Sequence, residues 1–162
     1  MGTPMEERVR RLVGHAEHVV PQDDLAERLE EGRPLRVKLG LDPTAKAVTL
    51  GWAVPLRKLR DFQDDGHTAV LIVGDFTARI GDPSGKSQTR PQLSKEEVRA
   101  NAEAVLDQFR DILAPDGLEV RYNSEWLEPM SLPDVLGLTA HYTVAQMLER
   151  DDFAKRYREQ RP

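Results

Sequence analysis

The chain contains no cysteine, so it can form neither disulfide bonds nor thiolate metal sites, and this composition fits an intracellular protein. It also lacks any apolar run that approaches the roughly 20 residues needed to cross a bilayer. The charged N-terminal residues 1–11 contain no apolar core of the kind found in signal peptides. We therefore expect a cytoplasmic protein that makes no membrane contact.

The chain also has fewer basic than acidic residues. The 23 Lys and Arg residues are outnumbered by 28 Asp and Glu residues, which gives a net charge of −5. A dedicated nucleic-acid binder usually presents a basic domain or stripe, so this balance argues against that class without excluding a local basic patch. The four histidines show no ligand spacing with acidic partners, and we expect no metal site.

Hydrophobic periodicity in the 162 residues predicts a single domain of three strands separated by helices. The strands are predicted at residues 35–41, 68–73 and 118–122. Helices are predicted at residues 6–13, 21–31, 50–63, 94–113, 132–139 and 144–149, residues 74–91 are predicted as a polar loop, and residues 156–162 as a frayed end. Strands that alternate with helices favour a parallel sheet with right-handed crossovers.

The helix predicted at residues 50–63 should bury one face. The apolar positions that form this face are Leu50, Val54, Leu56, Leu59 and Phe62. Strand 35–41, the Gly/Asp/Pro turn that follows it and this helix have the layout of a nucleotide site in an open α/β sheet. The N–H groups at the start of such a helix attract phosphate.

Three blocks of sequence resemble the tyrosyl-tRNA synthetase family of the class I aminoacyl-tRNA synthetases. They are L-G-L-D-P-T-A at 39–45 followed by L-G at 50–51, V-G-D-F-T-A-R-I-G-D-P-S-G-K-S at 73–87 followed by T-R-P at 89–91, and Y-N-S-E-W-L at 122–127 with T-V-A-Q-M-L-E-R-D-D-F at 143–153. The resemblance implies an α/β, Rossmann-like half-domain: a short parallel sheet flanked by helices, with a small helical C-terminal portion. Residues 1–34 would form an N-terminal helical segment and residues 35–162 part of the catalytic domain, truncated relative to the family.

The resemblance also implies roles for residues around the first turn. Gly40 and Gly51 would let adenine and ribose lie close to the backbone, although both also suit a turn and a helix start. Asp42 would contact the substrate and Thr44 the ATP phosphates, whereas an Asx-Pro turn capped by Asp42 is the simpler interpretation. ATP with magnesium would be the cofactor if the site is open.

The second block carries the other implied site residues. Thr77 and Asp82 would line the pocket for tyrosine and its adenylate, and Lys86 and Arg90 would reach the pyrophosphate. The alternative is a solvated loop whose cations contact nothing. The loop is not a phosphate-binding Walker A loop, because three residues rather than four separate its glycines.

The family's H-x-G-H signature is replaced here by Thr49-Leu50-Gly51-Trp52. Thr49 and Trp52 thus stand where the two histidines would donate hydrogen bonds and positive charge to the triphosphate. We favour the interpretation that Trp52 fills a disused pocket. The chain is then either a catalytic-domain fragment that activates tyrosine with ATP, or a paralogue that is inactive alone and acts as a binding or regulatory partner; a chain with no selected role is a third possibility.

Residues 126–153 resemble the part of the family that forms the subunit contact. Their many apolar side chains predict either an exposed patch that pairs with a second copy or with a full-length synthetase, or an ordinary helical core. Tyrosine and ATP are the ligands implied by the family. Binding of tRNA is not expected for this chain alone.

Overall fold

The computed structural model describes residues 4–21, 24–80 and 93–161. In chain order the elements are α1 (Met5–Val13), α2 (Asp24–Glu30), β1 (Arg36–Leu41), α3 (Ala53–Asp64), β2 (Thr68–Val73), α4 (Asp75–Ile80), α5 (Lys95–Phe109), β3 (Leu118–Tyr122), α6 (Ser124–Leu127), α7 (Leu132–Thr139), α8 (Val144–Met147) and α9 (Asp151–Arg158). A short 3₁₀ turn, Leu50–Trp52, precedes α3.

The three strands form one parallel sheet in the order β1-β2-β3. This confirms the predicted strands and the predicted α/β, Rossmann-like architecture. Because each parallel connection must cross back over the sheet, α3 and α5 pack on one face and bury the alternate residues of all three strands. The main cluster comprises Leu41, Leu56, Leu59, Ala69, Leu71, Val73, Ala102, Val105, Leu106, Phe109 and Leu113.

The helix starts follow from local capping chemistry. Ser94 and Glu97 form the predicted capping box at the start of α5, with each side chain bonding to the other residue's backbone N–H. Thr143 caps α8 in the same way through Gln146, as predicted. The predicted end of this helix near residue 113 is wrong, because α5 ends at Phe109.

The buried face predicted for α3 is only partly correct. Leu56, Leu59 and Phe62 are buried, whereas Leu50 is 89% exposed and Val54 73% exposed. The reason is that residues 50–52 adopt the 3₁₀ turn before the α-helix begins, so Leu50 does not share the helical phase of the later positions.

Two predictions of irregular structure are wrong at their starts, and residues 81–91 of the predicted loop lie outside the described residues. The predicted loop at 74–91 begins with helix α4, and the predicted frayed end at 156–162 begins inside α9. Both helices are short, with six residues in α4 and eight in α9, so they give little hydrophobic periodicity. No helix among the described residues is long and apolar enough to cross a membrane.

The N-terminal helices are attached to the sheet by a second apolar cluster of Leu12, Leu29, Leu35 and Phe62. Beside this cluster lies a polar contact centred on His67, which is 6% exposed. His67 Nδ1 accepts a hydrogen bond from the Leu35 N–H at 3.2 Å, just before β1.

The opposite side of the same imidazole faces charged groups. His67 Nε2 lies 3.4 Å from Asp65 Oδ2 and makes no hydrogen bond within the described structure. Asp65 in turn holds Arg8 at 2.7 Å and also pairs with Arg11, both from α1. Because Nδ1 must accept from Leu35, the folded protein requires a neutral His67 ring.

This contact predicts a pH dependence of folding stability. Burial lowers the pKa of His67, and nearby Arg8 lowers it further, against the opposing effect of Asp65. The neutral ring then stabilises the fold fully above the ordinary value of about 6.5, and this stability is lost as pH falls through that value towards the lower folded pKa. Urea unfolding midpoints measured between pH 5 and 8 should show the loss in the wild-type chain.

His67→Gln removes the titration while keeping an acceptor for the Leu35 N–H, so its midpoint should vary less over the same pH range. His141 is exposed, so His141→Gln is the matched control and should follow the wild type. Equal pH dependence in the wild-type chain and His67→Gln would contradict the assignment.

Candidate functional site

Polar residues follow all three strands at the carboxyl edge of the sheet. The first residue after β1 is Asp42, after β2 Gly74 and after β3 Asn123. Backbone hydrogen bonds hold these three residues side by side at the sheet edge. The Gly74 N–H donates to the Leu41 carbonyl at 2.7 Å, and the Asn123 N–H donates to the Val73 carbonyl at 2.9 Å. Ligands of open α/β sheets bind beyond this edge, so we place the candidate site here.

A chain of side-chain hydrogen bonds crosses this edge. The Thr77 hydroxyl, from the first turn of α4, donates to Asp42 Oδ1 at 2.9 Å, and Asn123 Nδ2 donates to that hydroxyl at 3.0 Å. Asn123 Oδ1 accepts from the Phe76 N–H at 2.8 Å. Hydrogen bonds in series polarise one another, so the chain fixes the direction of the Asp42 carboxylate.

The close approach of Asp42 depends on the missing side chain of Gly74. A Cβ atom on Gly74 would lie 2.0 Å from Asp42 Oδ1 and 2.6 Å from Thr77 Oγ1. Both distances are well inside van der Waals contact. The bond between Asp42 and Thr77 therefore requires glycine at position 74.

Asn123 is a site residue that was not predicted from the sequence. It is 8% exposed and is the residue that connects β3 to the other two strand ends. The available signal was its position directly after a predicted strand, where a polar residue faces the ligand edge. The next residue is tied to the same place, because the Ser124 N–H donates to Asp75 Oδ1 at 3.0 Å.

A cavity of about 400 Å³ lies on one side of Asp42. It is lined by Gly40, Leu41, Asp42, Thr44, Ala45, Ala47, Val48, Trp52 and Val105. The structure thus brings the predicted residues Gly40, Asp42 and Thr44 together around one space. Its volume is in the range of small-molecule sites.

A smaller cavity of about 210 Å³ lies on the other side and shares Gly40, Leu41 and Asp42 with the first. Its remaining walls are Ile72, Gly74 and Asn123. Among the described residues, a Cβ atom on Gly40 would meet no atom within 4 Å. The fold itself therefore does not need glycine at position 40, and the space beside it is open to a ligand.

Trp52 forms part of the wall of the larger cavity. The indole is half-buried and packs against Phe109, with ring centroids 5.6 Å apart. Thr49 and Gly51 are exposed, and neither lines the two cavities beside Asp42. Of Thr49, Gly51 and Trp52 at this helix start, only Trp52 lines the larger cavity.

The larger cavity has an unusual charge for a phosphate site. Among the described residues that line it there is one carboxylate, Asp42, and no Lys, Arg or His. The predicted site residues Asp82, Lys86 and Arg90 lie outside the described residues. Within the described ranges no group of three or more His or acidic side chains is placed to hold a metal ion.

Comparison with known proteins identifies a family over most of the chain. The family described as class I tRNA synthetases (W and Y) matches residues 30–162. The tyrosine–tRNA ligase of Deinococcus radiodurans is 57% identical over 155 residues, which cover 94% of this chain and 38% of that protein. The tyrosine–tRNA ligase of Symbiobacterium thermophilum is 52% identical over 162 residues, covering 98% of this chain and 40% of that protein.

Solved structures support the same fold. A C-terminally truncated mitochondrial tyrosyl-tRNA synthetase of Aspergillus nidulans superimposes with a TM-score of 0.71 at 20% identity, covering 98% of this chain and 53% of that one. The tyrosyl-tRNA synthetase of Archaeoglobus fulgidus, complexed with L-tyrosine, gives 0.71 at 22% identity over 87% and 41% of the two chains. The chain spans about two fifths of the length of the two bacterial ligases described above.

The hydrogen-bonded edge can be tested with Gly74→Ala. The new methyl group would overlap Asp42 Oδ1 and Thr77 Oγ1, so Asp42 must move and the free energy of unfolding should fall by about 1–3 kcal/mol. Gly137→Ala is the matched control, because Gly137 lies in the exposed helix α7 and a Cβ there meets no atom of the described residues within 4 Å. Urea unfolding should show no loss of stability for Gly137→Ala; a loss of the same size as in Gly74→Ala would contradict the proposed role of Gly74.

Proposed function

This chain belongs to the class I tRNA synthetases, in the tyrosyl-tRNA synthetase family, and from that premise we propose that it retains the family's substrate-facing edge but does not activate tyrosine on its own. The family activity would be ATP-dependent formation of tyrosyl adenylate, with magnesium accompanying ATP, followed by transfer to tRNA. The observation that carries the proposal is the Trp52 indole in the wall of the larger cavity.

Trp52 cannot replace an imidazole at this position. Its ring has one N–H donor and no charge, and packing against Phe109 restricts its movement. Donors aimed at developing charge contribute about 3–4 kcal/mol each to transition-state stabilisation. Thr49 supplies a hydroxyl but no charge, so it would not restore the transition-state stabilisation that two histidines at this helix start would provide.

The charge of the cavity supports the same proposal. A triphosphate placed there would meet the Asp42 carboxylate without a cation among the described lining residues. Such a pair of like charges is unfavourable in a partly enclosed space. Lys86 and Arg90 would be the family's compensating cations toward pyrophosphate.

The remaining residues keep roles in substrate contact. Asp42, held by Thr77, would accept hydrogen bonds from a substrate amine or hydroxyl. Gly40 leaves room for a flat group against the backbone, and Thr44 presents a hydroxyl toward phosphate. Asp82 would complete the pocket for tyrosine and its adenylate.

Partner binding is a second candidate function, carried by residues 131–147, which we call the arm. Every arm residue from 131 to 147 is exposed. Its large apolar side chains include Leu132, Val135, Leu136, Leu138, Tyr142, Val144 and Met147, of which Leu136 is 61% exposed. Exposed apolar side chains in this number predict a protein partner, and we propose a second copy of the chain or a full-length synthetase through residues 126–153. The chain alone would not bind tRNA.

The catalytic proposal predicts no tyrosine-dependent exchange of pyrophosphate into ATP by the purified chain. Calorimetry should also detect no binding at millimolar Mg·ATP. The double variant Thr49→His with Trp52→His should regain little or no exchange, because the described residues that line the cavity include no Lys or Arg. The intact D. radiodurans ligase is the positive control.

Measurable exchange by the unmodified chain would overturn this proposal. Binding of Mg·ATP in the micromolar range, which corresponds to about −8 kcal/mol, would show that Trp52 leaves the nucleotide site open.

The partner proposal predicts a dimer in light scattering at micromolar concentration. Leu136→Asp or Met147→Asp places a charge on the arm and should shift the chain toward monomer. Val54→Asp is the control, since Val54 is also an exposed apolar helical residue but lies in α3. A monomer at every concentration, or equal dissociation by the control, would count against the arm as the contact.

A further inference from the structure

The loop at residues 43–48, which we call the cavity loop, forms much of the wall of the larger cavity. Among the described residues, one backbone-to-backbone hydrogen bond involves this loop, from the Thr44 N–H to the Asp42 carbonyl at 2.8 Å. A loop with so few bonds of this kind takes its position from the side chains that contact it. The cavity loop contributes four residues to the cavity lining, which are Thr44, Ala45, Ala47 and Val48.

Two amide side chains of α5 bind the two ends of the cavity loop. Asn101, which is 7% exposed, donates from Nδ2 to the Pro43 carbonyl at 3.1 Å. Gln108 donates from Nε2 to the Lys46 carbonyl at 2.8 Å, and its Oε1 accepts from the Val48 N–H at 3.3 Å. One helix therefore holds both ends of the loop.

The spacing of the two amides places them on the cavity side of α5. Asn101, Val105 and Gln108 follow one another at intervals of four and three residues, which aligns them on one face of a helix. Val105, between the two amides, lines the larger cavity. The next residue after Gln108 is Phe109, which packs against the Trp52 indole. The same part of α5 thus supports the cavity loop and Trp52.

We propose that Asn101 and Gln108 are positioning residues for the larger cavity. By holding the cavity loop against α5, they fix the place of the Thr44 hydroxyl and of the wall that the loop forms. Neither amide is among the described residues that line the cavity, so both act through backbone groups of the loop. The inference rests on the substrate-facing role proposed above for this cavity and adds the residues that set its shape.

Helix α3 carries a second amide of the same kind, which provides a matched control. Gln63 donates from Nε2 to the Ala114 carbonyl at 3.0 Å, and its Oε1 accepts from the Ala114 N–H at 3.0 Å. Like Gln108, it is half-buried and ties a helix to a loop. At about 1.5 Å per helical residue it lies roughly 15 Å from Trp52 along α3. Loss of the Gln63 amide should therefore cost stability without moving the cavity loop.

The test measures how accessible Trp52 is to a quencher. The chain has two tryptophans, so the variant Trp126→Phe leaves Trp52 as the sole one and serves as the background. Gln108→Met and Gln63→Met each exchange an amide for an apolar side chain of similar length, and both should lower the free energy of unfolding. Gln108→Met should also open the cavity and raise the rate constant for acrylamide quenching of Trp52 by about twofold or more. Gln63→Met should leave this constant at its background value.

Asn101→Ala is a second variant that acts at the other end of the cavity loop. It removes the donor to the Pro43 carbonyl and leaves Gln108 in place, so it should also raise the quenching constant by about twofold or more. This variant decides the test if circular dichroism shows that Gln108→Met does not fold. An unchanged constant in the folded variants, or an equal rise in Gln63→Met, would overturn the proposal.

This measurement is independent of the catalytic proposal. It uses neither pyrophosphate exchange nor Mg·ATP, so either proposal can fail while the other stands.

Discussion

The hydrogen-bonded chain from Asn123 through Thr77 to Asp42 is the constraint on which the site depends. It joins the ends of all three strands, so the position of one carboxylate is set by contacts made across more than 80 residues of sequence. Gly74 makes the arrangement possible because it leaves room for the two oxygen atoms that meet there. The same contacts determine the boundary between the two cavities, since Asp42 lines both.

The sequence predicted the parts of the fold that repeat a local pattern. The strand at 68–73 was predicted at its observed bounds because it is an apolar run between clear breakers, as buried parallel strands are. The strand at 118–122 was also predicted at its observed bounds, from apolar residues that alternate with charged ones. The parallel order followed from the alternation of strands with helices. The arrangement at the strand ends could not be predicted in the same way. The first turn of α4 is held by a hydrogen bond from the Phe76 N–H to Asn123 Oδ1, and these residues are 47 positions apart. No local sequence pattern predicts a contact between residues so far apart.

Some of the candidate site residues were predicted from the sequence and one was not. Gly40, Asp42 and Thr44 were predicted from the resemblance of residues 39–45 to the family, and the structure places them around one cavity. Asn123 was missed because its role arises only when β3 lies beside β2. The phase error at Leu50 has a different cause: a single 3₁₀ turn rotates the helix start, and Trp52 instead of Leu50 then packs on the core cluster. Trp52 thus both lines the larger cavity and packs on the core, so a substitution there would change folding and cavity shape together.

The wide spacing of the strand ends has a consequence for synthesis of the chain. Asp42 and Asn123 are separated by about 80 residues, which a ribosome adds in roughly 4 to 16 s at 5–20 residues per second. Throughout this interval β1 and β2 lack their third strand, and the carboxylate of Asp42 lacks the amide that orients its partner. The site is therefore among the last features of the sheet to form on the ribosome, and until Asn123 is made the emerging chain exposes an unpaired edge of its most hydrophobic strand to other nascent proteins and chaperones.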